Sequence, residues 1–192
     1  MKLPEIKPDV AKVKALLKEA GVGADFEVEL LGVKADEEEL PVLQQQLTSA
    51  GIKTKITVLE RAARVARENG GDFMMVLSGS GIPDDPGELY PARFGCNEED
   101  VKAKKRGENI AGFCNREFDR LVDEAGRIVD PKRRYELYAK ATRILHDELP
   151  EISLVLVPRY FTHHQKVRGF ETDWDGRFNM TTSGLSRVWI AP

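Results

Sequence analysis

The sequence has no uninterrupted apolar stretch of the roughly 18 residues that a membrane-spanning helix needs. It also has no apolar core in its opening segment, MKLPEIKPDVAK, so we expect no signal peptide in this chain. Neither sign of charge dominates, because 29 basic side chains stand against 32 acidic ones and the two kinds alternate. The composition is that of an ordinary globular domain and gives no reason to expect nucleic acid as a partner.

Cysteine is scarce, with only Cys96 and Cys114 present. A bridge between them would remove roughly 3 kcal/mol of unfolded-state entropy, but their spacing alone leaves a bridge and two separate buried thiols equally open. Together with His146, His163 and His164 they form no CxxC or HxxxH spacing of the kind that zinc sites use. We therefore expect no metal site and no cofactor.

Catalytic motifs are missing too. The sequence contains no GxSxG, no HExxH and no Walker loop, since no Lys-Ser/Thr pair follows the SGSG run at 78–81. Ser80 as a nucleophile would need a histidine and an acid nearby, but His163 and His164 belong to a distant β-rich segment. We expect no catalytic residue and predict that the protein is not an enzyme.

The first half of the chain alternates helix and strand patterns. Apolar periodicity predicts helices over 9–21, 36–50 and 60–69, and strands over 25–33, 52–59 and 73–77. The acidic run at 36–39 is expected in the first turn of its helix, where the macrodipole favours negative charge. This order of elements predicts crossover connections and parallel pairing of the strands.

The second half predicts a helical pair and then a β-rich return. The helix over 115–129 is expected to bury Phe118, Leu121, Val122 and Ala125. The helix over 131–148 is expected to bury Tyr135, Tyr138, Ala139, Thr142 and Leu145. Runs of β-formers at 152–157 and 160–166 predict two further strands. The whole pattern predicts one α/β lobe over residues 1–192, with a central mixed sheet flanked by helices.

The most distinctive stretch is the loop SGSGIPDD at 78–85, directly after the strand predicted over 73–77. In α/β proteins, ligands bind at the carboxyl edge of the sheet, so this loop is the candidate binding site. The candidate ligand-binding residues come from this loop and from one arginine suited to an anionic ligand: Ser78, Gly79, Ser80, Gly81, Ile82, Asp84, Asp85 and Arg159. The alternative role of Asp84 and Asp85 is to close turns, and that of Arg159 is a surface position.

Several short motifs occur in an order typical of one family. They are PDVAKVKALLKEAG (8–21), QQQL followed by AGIK (44–53), GDF (71–73), DP (85–86), GFCNREFD (112–119), DPKRR (130–134), LP (149–150) and VRGF (167–170). In this order they resemble the last lobe of the peptide/nickel-type, or family 5, extracellular solute-binding proteins, which are receptors of bacterial ABC importers. No single motif is specific, but the series spans nearly the whole chain.

The resemblance implies a type II periplasmic-binding-protein-like lobe that captures a small solute, such as a peptide or an opine, for a membrane permease. Members are much longer, so we expect an isolated lobe whose partner lobe is absent and whose own solute binding is weak. The family is exported, which implies a periplasmic or extracellular location for the parent protein. Some peptide-binding members carry a disulfide at the places of Cys96 and Cys114, so the resemblance implies that bridge here.

The chain departs from the peptide-binding pattern near the loop. Ser80 stands where a tryptophan is usual, and Arg61 stands where an aromatic is common. The aspartate that holds a peptide's α-amino group aligns near Pro83, so Asp84 could replace it only with a shifted backbone. These departures leave room for an opine or a sugar. The alternative function is a stand-alone scaffold or interaction domain with no small-molecule ligand.

An isolated lobe should also expose the face that meets its partner lobe. We expect an apolar patch beside the 78–85 loop and weak homodimerisation through it. The candidate residues of this patch are Ile82, Leu89, Tyr90, Tyr160 and Phe161. For Tyr160 and Phe161, the alternative is an ordinary place in the core.

Overall fold

A computed structural model of the chain describes residues 3–4, 7–23, 25–79, 81, 85–155, 162–170 and 187–191. The chain divides into two compact units, Met1–Glu151 and Ile152–Pro192. The single lobe over 1–192 that the sequence predicts stays a prediction.

A three-stranded parallel sheet forms the centre of the first unit's amino-terminal half. Its strands are β1 (Glu27–Val33), β2 (Lys53–Leu59) and β3 (Met75–Val76), in the order β2-β1-β3. The central strand β1 is paired on both sides and buries Leu30 and Leu31 almost completely. The predicted α/β class and the parallel pairing are confirmed, whereas an antiparallel member of the sheet, which a mixed sheet requires, stays a prediction.

Three helices accompany this sheet: α1 (Val10–Glu19), α2 (Glu39–Ser49) and α3 (Arg61–Gly70). Leu40 of α2 packs so closely on β1 that a Cβ at Gly32 would lie 2.7 Å from its Cδ1 atom. A glycine is therefore required where this helix meets the sheet.

The helix α2 begins later than the sequence predicts. The Asp36 carboxylate accepts a hydrogen bond of 2.8 Å from the Val33 amide and closes a 3-10 turn at Lys34–Asp36. As a result, only Glu39 of the acidic run lies in the first turn of α2. The expectation that all of residues 36–39 occupy that turn was wrong, because a local side-chain bond competes with the helix.

The second half of the first unit is helical. It contains α4 (Pro86–Phe94), α5 (Glu98–Lys102), α6 (Arg116–Gly126) and α7 (Pro131–Glu148). A separate apolar core is built by α4, α6 and α7 together with the residue Phe113. Its members are Phe94, Phe113, Phe118, Leu121, Val122, Ala125, Leu137, Tyr138 and Ala141.

The buried face of α6 matches the sequence prediction, but that of α7 is rotated. α7 buries Leu137, Tyr138 and Ala141, while Tyr135 is largely exposed. The prediction for Tyr135 was wrong, because the buried stripe of α7 includes Tyr138 but does not reach back to Tyr135.

The second unit contains one described strand pair, β4 (Val167–Arg168) with β5 (Trp189–Ile190), which are antiparallel. The strands expected over 152–157 and 160–166 are not present in the described parts of those ranges, 152–155 and 162–166. β propensity alone did not produce strands there, because a strand also needs a neighbour with which to pair.

Candidate functional site

The segment after β3 lies at the carboxyl edge of the parallel sheet. The Leu77 amide donates a hydrogen bond of 2.8 Å to the Leu31 carbonyl and extends the pairing one residue beyond β3. The Leu77 carbonyl accepts a hydrogen bond of 2.9 Å from Nη1 of Arg64. Beyond it, Ser78, Gly79 and Gly81 are exposed. These three predicted ligand-binding residues therefore stand at the edge where α/β proteins bind ligands.

Four other predicted ligand-binding residues, Ser80, Ile82, Asp84 and Arg159, lie outside the described residues. Their roles stay predictions from the sequence.

Asp85 caps the amino terminus of α4. Its Oδ1 atom accepts a hydrogen bond of 2.7 Å from the Gly87 amide and one of 2.8 Å from Nη2 of Arg134. Its Oδ2 atom lies 2.7 Å from Nη1 of Arg134, so the arginine binds both oxygens. The geometry matches the turn-closing role, since both oxygens already have partners within the chain. A ligand contact by Asp85 stays a prediction.

The charge state of this pair follows from the same contacts. Hydrogen bonds from Arg134 and from the Gly87 amide lower the pKa of Asp85 below its ordinary value. The Asp85 carboxylate in turn raises the pKa of Arg134. The pair is therefore fully ionised near neutral pH.

Tyr138 completes the cluster around Arg134. The guanidinium carbon of Arg134 lies 5.2 Å from the centroid of the Tyr138 ring, and Nη2 lies 3.3 Å from the Tyr138 hydroxyl. A Cβ at Gly87 would lie 2.7 Å from that hydroxyl and 3.0 Å from Oδ1 of Asp85. Only glycine fits at this position without moving its neighbours.

The sequence reasoning did not select Arg134. Its only signal in the sequence was the DPKRR motif at 130–134, which indicated the family but did not indicate a site residue. The pairing joins positions 49 residues apart, so no local pattern pointed to it.

Arg64 of α3 was missed as well. Its side chain is 11% exposed and that of Glu68 is 8% exposed, with 3.6 Å between Arg64 Nε and Glu68 Oε1. Neither of these two atoms makes a hydrogen bond within the described part of the chain. The i,i+4 spacing of the two residues was the available signal. Arg61, the residue found in place of an aromatic, is exposed at the start of the same helix.

The predicted bridge between Cys96 and Cys114 is confirmed, since the structure joins them as a disulfide. The bridged segment is organised by Asn109, whose side chain is almost fully buried. Its Nδ2 atom donates to the carbonyls of Gly95 (2.9 Å) and Phe113 (2.8 Å), and its Oδ1 accepts from the Phe113 amide (3.0 Å). The bridge and Asn109 together connect the end of α4 to the start of α6.

The expected exposed patch needs a correction at Tyr90. This residue is half-buried, and its hydroxyl lies 2.8 Å from the Thr142 hydroxyl. Its ring centroid lies 5.6 Å from that of Phe118, so Tyr90 packs against the helical core. Leu89 is half-buried. The other candidates, Ile82, Tyr160 and Phe161, lie outside the described residues.

The described part of the chain offers neither a metal site nor a membrane-spanning helix. Within it, no three or more His, Cys, Asp and Glu side chains gather in a way that could hold a metal ion. Among the same residues, every helix is too short or too polar to cross a membrane.

Comparison with protein families gives a match over residues 2–100. The matching family model describes bacterial extracellular solute-binding proteins, family 5 Middle. Two curated relatives illustrate the similarity. The dipeptide-binding protein of Escherichia coli (strain K12) is 27% identical over 173 residues, which cover 86% of this chain and 31% of that protein. Di/tripeptide-binding protein 1 of Pseudomonas aeruginosa (strain UCBPP-PA14) is 33% identical over 150 residues, which cover 74% and 27%. The chain thus spans less than a third of the length of either relative.

Solved structures agree. The ABC transporter-associated periplasmic binding protein DppA from Helicobacter pylori, in complex with the peptide STSA, superposes with a TM-score of 0.69 at 25% identity, covering 96% of this chain and 35% of that one. The oligopeptide-binding protein AppA from Bacillus subtilis, in complex with a nonapeptide, gives a TM-score of 0.72 at 22% identity, covering 100% and 39%. The second similarity concerns the fold alone.

Proposed function

We propose, from the premise that this chain belongs to the bacterial extracellular solute-binding proteins of family 5, that it forms one wall of a solute-binding cleft. Family members bind solutes for transport and are not enzymes, and the two curated relatives are by name a dipeptide-binding and a di/tripeptide-binding protein. We propose the same class of task for this chain, with a peptide or an opine as the solute.

The observation that carries this proposal is the exposed backbone at the sheet edge. Ser78, Gly79 and Gly81 follow β3 directly and carry little or no side chain that could screen their amides and carbonyls. A solute that meets such a surface can exchange its water for backbone hydrogen bonds. Ser80, Ile82, Asp84 and Arg159 stay proposed contacts on the ground of the sequence alone, Arg159 because its charge suits an anionic group.

The bonds that Asp85 makes within the chain make it a poor candidate for binding the amino group of a solute. Both of its oxygens already have partners. Oδ1 accepts hydrogen bonds from the Gly87 amide and from Arg134, and Oδ2 forms an ion pair with Arg134. A solute ammonium would have to compete with a bidentate guanidinium for the same carboxylate, which is unfavourable. We therefore propose Asp84 as the carboxylate for a cationic solute and Asp85 as the structural cap.

The proposed mechanism is closure without bond chemistry. A solute bound to one wall selects the closed form, because closure adds contacts from the second wall. Delivery to a membrane permease would follow from that closed form, in the periplasm or outside the cell. No catalytic step is assigned to any residue of this chain.

A single wall buries only part of a solute. Two-walled sites bury most of their ligand, so one wall alone gives up much of the affinity. We therefore propose that the 192-residue chain binds solutes only weakly, with a dissociation constant in the millimolar range. We also propose weak homodimerisation through the face beside the loop, to which Leu89 would contribute.

The experiment is a nuclear magnetic resonance titration of the 15N-labelled chain. The probes are the dipeptide Met-Leu, the tetrapeptide STSA, octopine and maltose, which separate peptides from an opine and a sugar. We expect saturable millimolar shifts at the amides of Ser78, Gly79 and Gly81 with at least one probe. Micromolar binding would contradict the weak-wall proposal, and a loop that responds to none of these probes would favour a scaffold without a small-molecule ligand.

A further inference from the structure

Two arginines on different helices hold the two ends of the 78–85 loop. We propose that Arg64 and Arg134 are positioning residues that clamp this loop, one where the chain leaves β3 and one where it enters α4. The proposal rests on the proposed function in one respect only, namely that the clamped loop binds the solute.

The amino-terminal end is fixed at Leu77. Its amide is bonded to the Leu31 carbonyl across the sheet, and its own carbonyl is bonded to Nη1 of Arg64. Both backbone polar groups of this residue are thus committed. Arg64 itself has little freedom, because its side chain is almost fully buried and its Nε atom faces Glu68.

The carboxyl-terminal end is fixed at Asp85. Arg134 binds both carboxylate oxygens, and the same carboxylate caps α4 through the Gly87 amide. The ring of Tyr138 supports the guanidinium from one side. A bidentate ion pair of this kind restricts orientation as well as distance. The direction in which the chain enters α4 therefore depends on a side chain of α7.

The two anchors have a consequence for binding. Fixing the ends of a loop reduces the conformational entropy that ordering by a ligand would otherwise cost. With both ends fixed, Ser78, Gly79 and Gly81 stay at the sheet edge before a solute arrives, whereas a loop held at one end must be ordered by the solute. We therefore assign both arginines a positioning role that is separate from their contribution to stability.

The test compares four variants of the 192-residue chain. Arg64→Met and Arg134→Met each remove one anchor. Arg67→Met is the matched control on α3. It removes an arginine that forms an ion pair with Glu29 at 2.7 Å instead of a bond to the Leu77 carbonyl. Arg133→Met is the matched control on α7, because the Arg133 side chain is exposed and lies 3.8 Å from Glu124.

The readouts are 15N order parameters at Gly79 and Gly81 and hydrogen exchange at the Leu77 and Gly87 amides. We expect Arg64→Met to speed exchange at Leu77, and Arg134→Met to speed exchange at Gly87, by on the order of tenfold. Both variants should lower the order parameters at Gly79 and Gly81, while the two controls leave all these values unchanged. Arg134→Lys, which keeps the charge, should restore part of the order.

Unchanged order parameters in both anchor variants would overturn the proposal, as would an equal fall in the controls. If Arg64→Met does not fold, Arg64→Lys replaces it at the Leu77 anchor. If Arg134→Met does not fold, Asp85→Asn replaces it at the Gly87 anchor. Each replacement carries the same expectation in milder form. These readouts need no solute, so the clamp can fail while the solute titration succeeds, and the reverse. With a probe that binds, loss of either anchor should weaken binding several-fold.

Discussion

Arg134 of α7 binds both carboxylate oxygens of Asp85 at 2.8 and 2.7 Å, across 49 positions of the sequence. Because Asp85 also caps α4, this single pair connects the 78–85 loop, α4 and α7. The loop at the sheet edge is therefore tied to the helical core as well as to the sheet. Variants of this pair and of its neighbours should report on that connection.

The Asp85–Arg134 pair predicts a pH dependence of stability. Arg134 and the Gly87 amide lower the folded-state pKa of Asp85 below the unfolded value of 3.8. The stabilisation is therefore complete above the unfolded pKa and is lost as the pH falls through the folded pKa. Because the side chain is 38% exposed, we expect Asp85→Asn to cost no more than about 1 kcal/mol at neutral pH.

The measurement is urea unfolding of the wild type and Asp85→Asn from pH 7 down to the acid range. The difference between them should shrink below about pH 4 and then vanish. Asp130→Asn is the control. Asp130 caps α7 by accepting a hydrogen bond from the Arg133 amide, and it forms no ion pair with any other described residue. A pH-independent difference for Asp85→Asn would contradict the prediction.

Gly87→Ala should destabilise the protein, because the added methyl group has no free space. The new methyl group would lie 2.7 Å from the Tyr138 hydroxyl, inside the cluster that Arg134 organises. We expect a loss of about 1–3 kcal/mol, because the buried tyrosine cannot move away freely. Thermal unfolding checks this against Gly126→Ala in α6, where a Cβ meets nothing within 4 Å. The control should be neutral or slightly stabilising, and equal behaviour of the two variants would show that the Gly87 site relaxes.

Reduction of the Cys96–Cys114 bridge should lower stability by about 3 kcal/mol, as the chain-entropy model gives for a short loop. The intact mass of the oxidised chain should be two hydrogens lower than that of the reduced chain. Unfolding with and without a phosphine reductant measures the loss. The double variant Cys96→Ala/Cys114→Ala is the control and should not respond to the reductant. Two free thiols after air oxidation would disprove the bridge.

Asn109→Ala should be costly for its size. Asn109 is 3% exposed, and its truncation leaves the Phe113 amide and two carbonyls without their partner in a buried place. We expect a loss of about 2–3 kcal/mol. Asn97→Ala, which removes the exposed cap of α5, should cost at most about 1 kcal/mol. Denaturant unfolding of the two variants compares them, and similar losses would show that water replaces Asn109.

The sequence by itself determined many of the local elements, although the strands expected over 152–157 and 160–166 are absent from the described parts of those ranges. Apolar spacing is a local property, so it predicted α6 with Phe118 and Leu121 on its buried face, and the structure has both there. Glycines and prolines likewise marked the 78–85 loop, because few other residues end a strand so abruptly. The order of motifs along the chain indicated the family and, with it, the disulfide.

Only the tertiary structure decided which elements meet. The pairing of Arg134 with Asp85 depends on how α7 docks beside α4, and neither residue's neighbours in sequence record that docking. Tyr90 proved to pack on the core and Tyr135 to be exposed for the same reason, since amphipathic spacing identifies an apolar stripe but not the partner that covers it. Burial and ion pairing between distant segments are properties of the packed chain, and they are what joins Leu77 to Arg64 and Asp85 to Arg134.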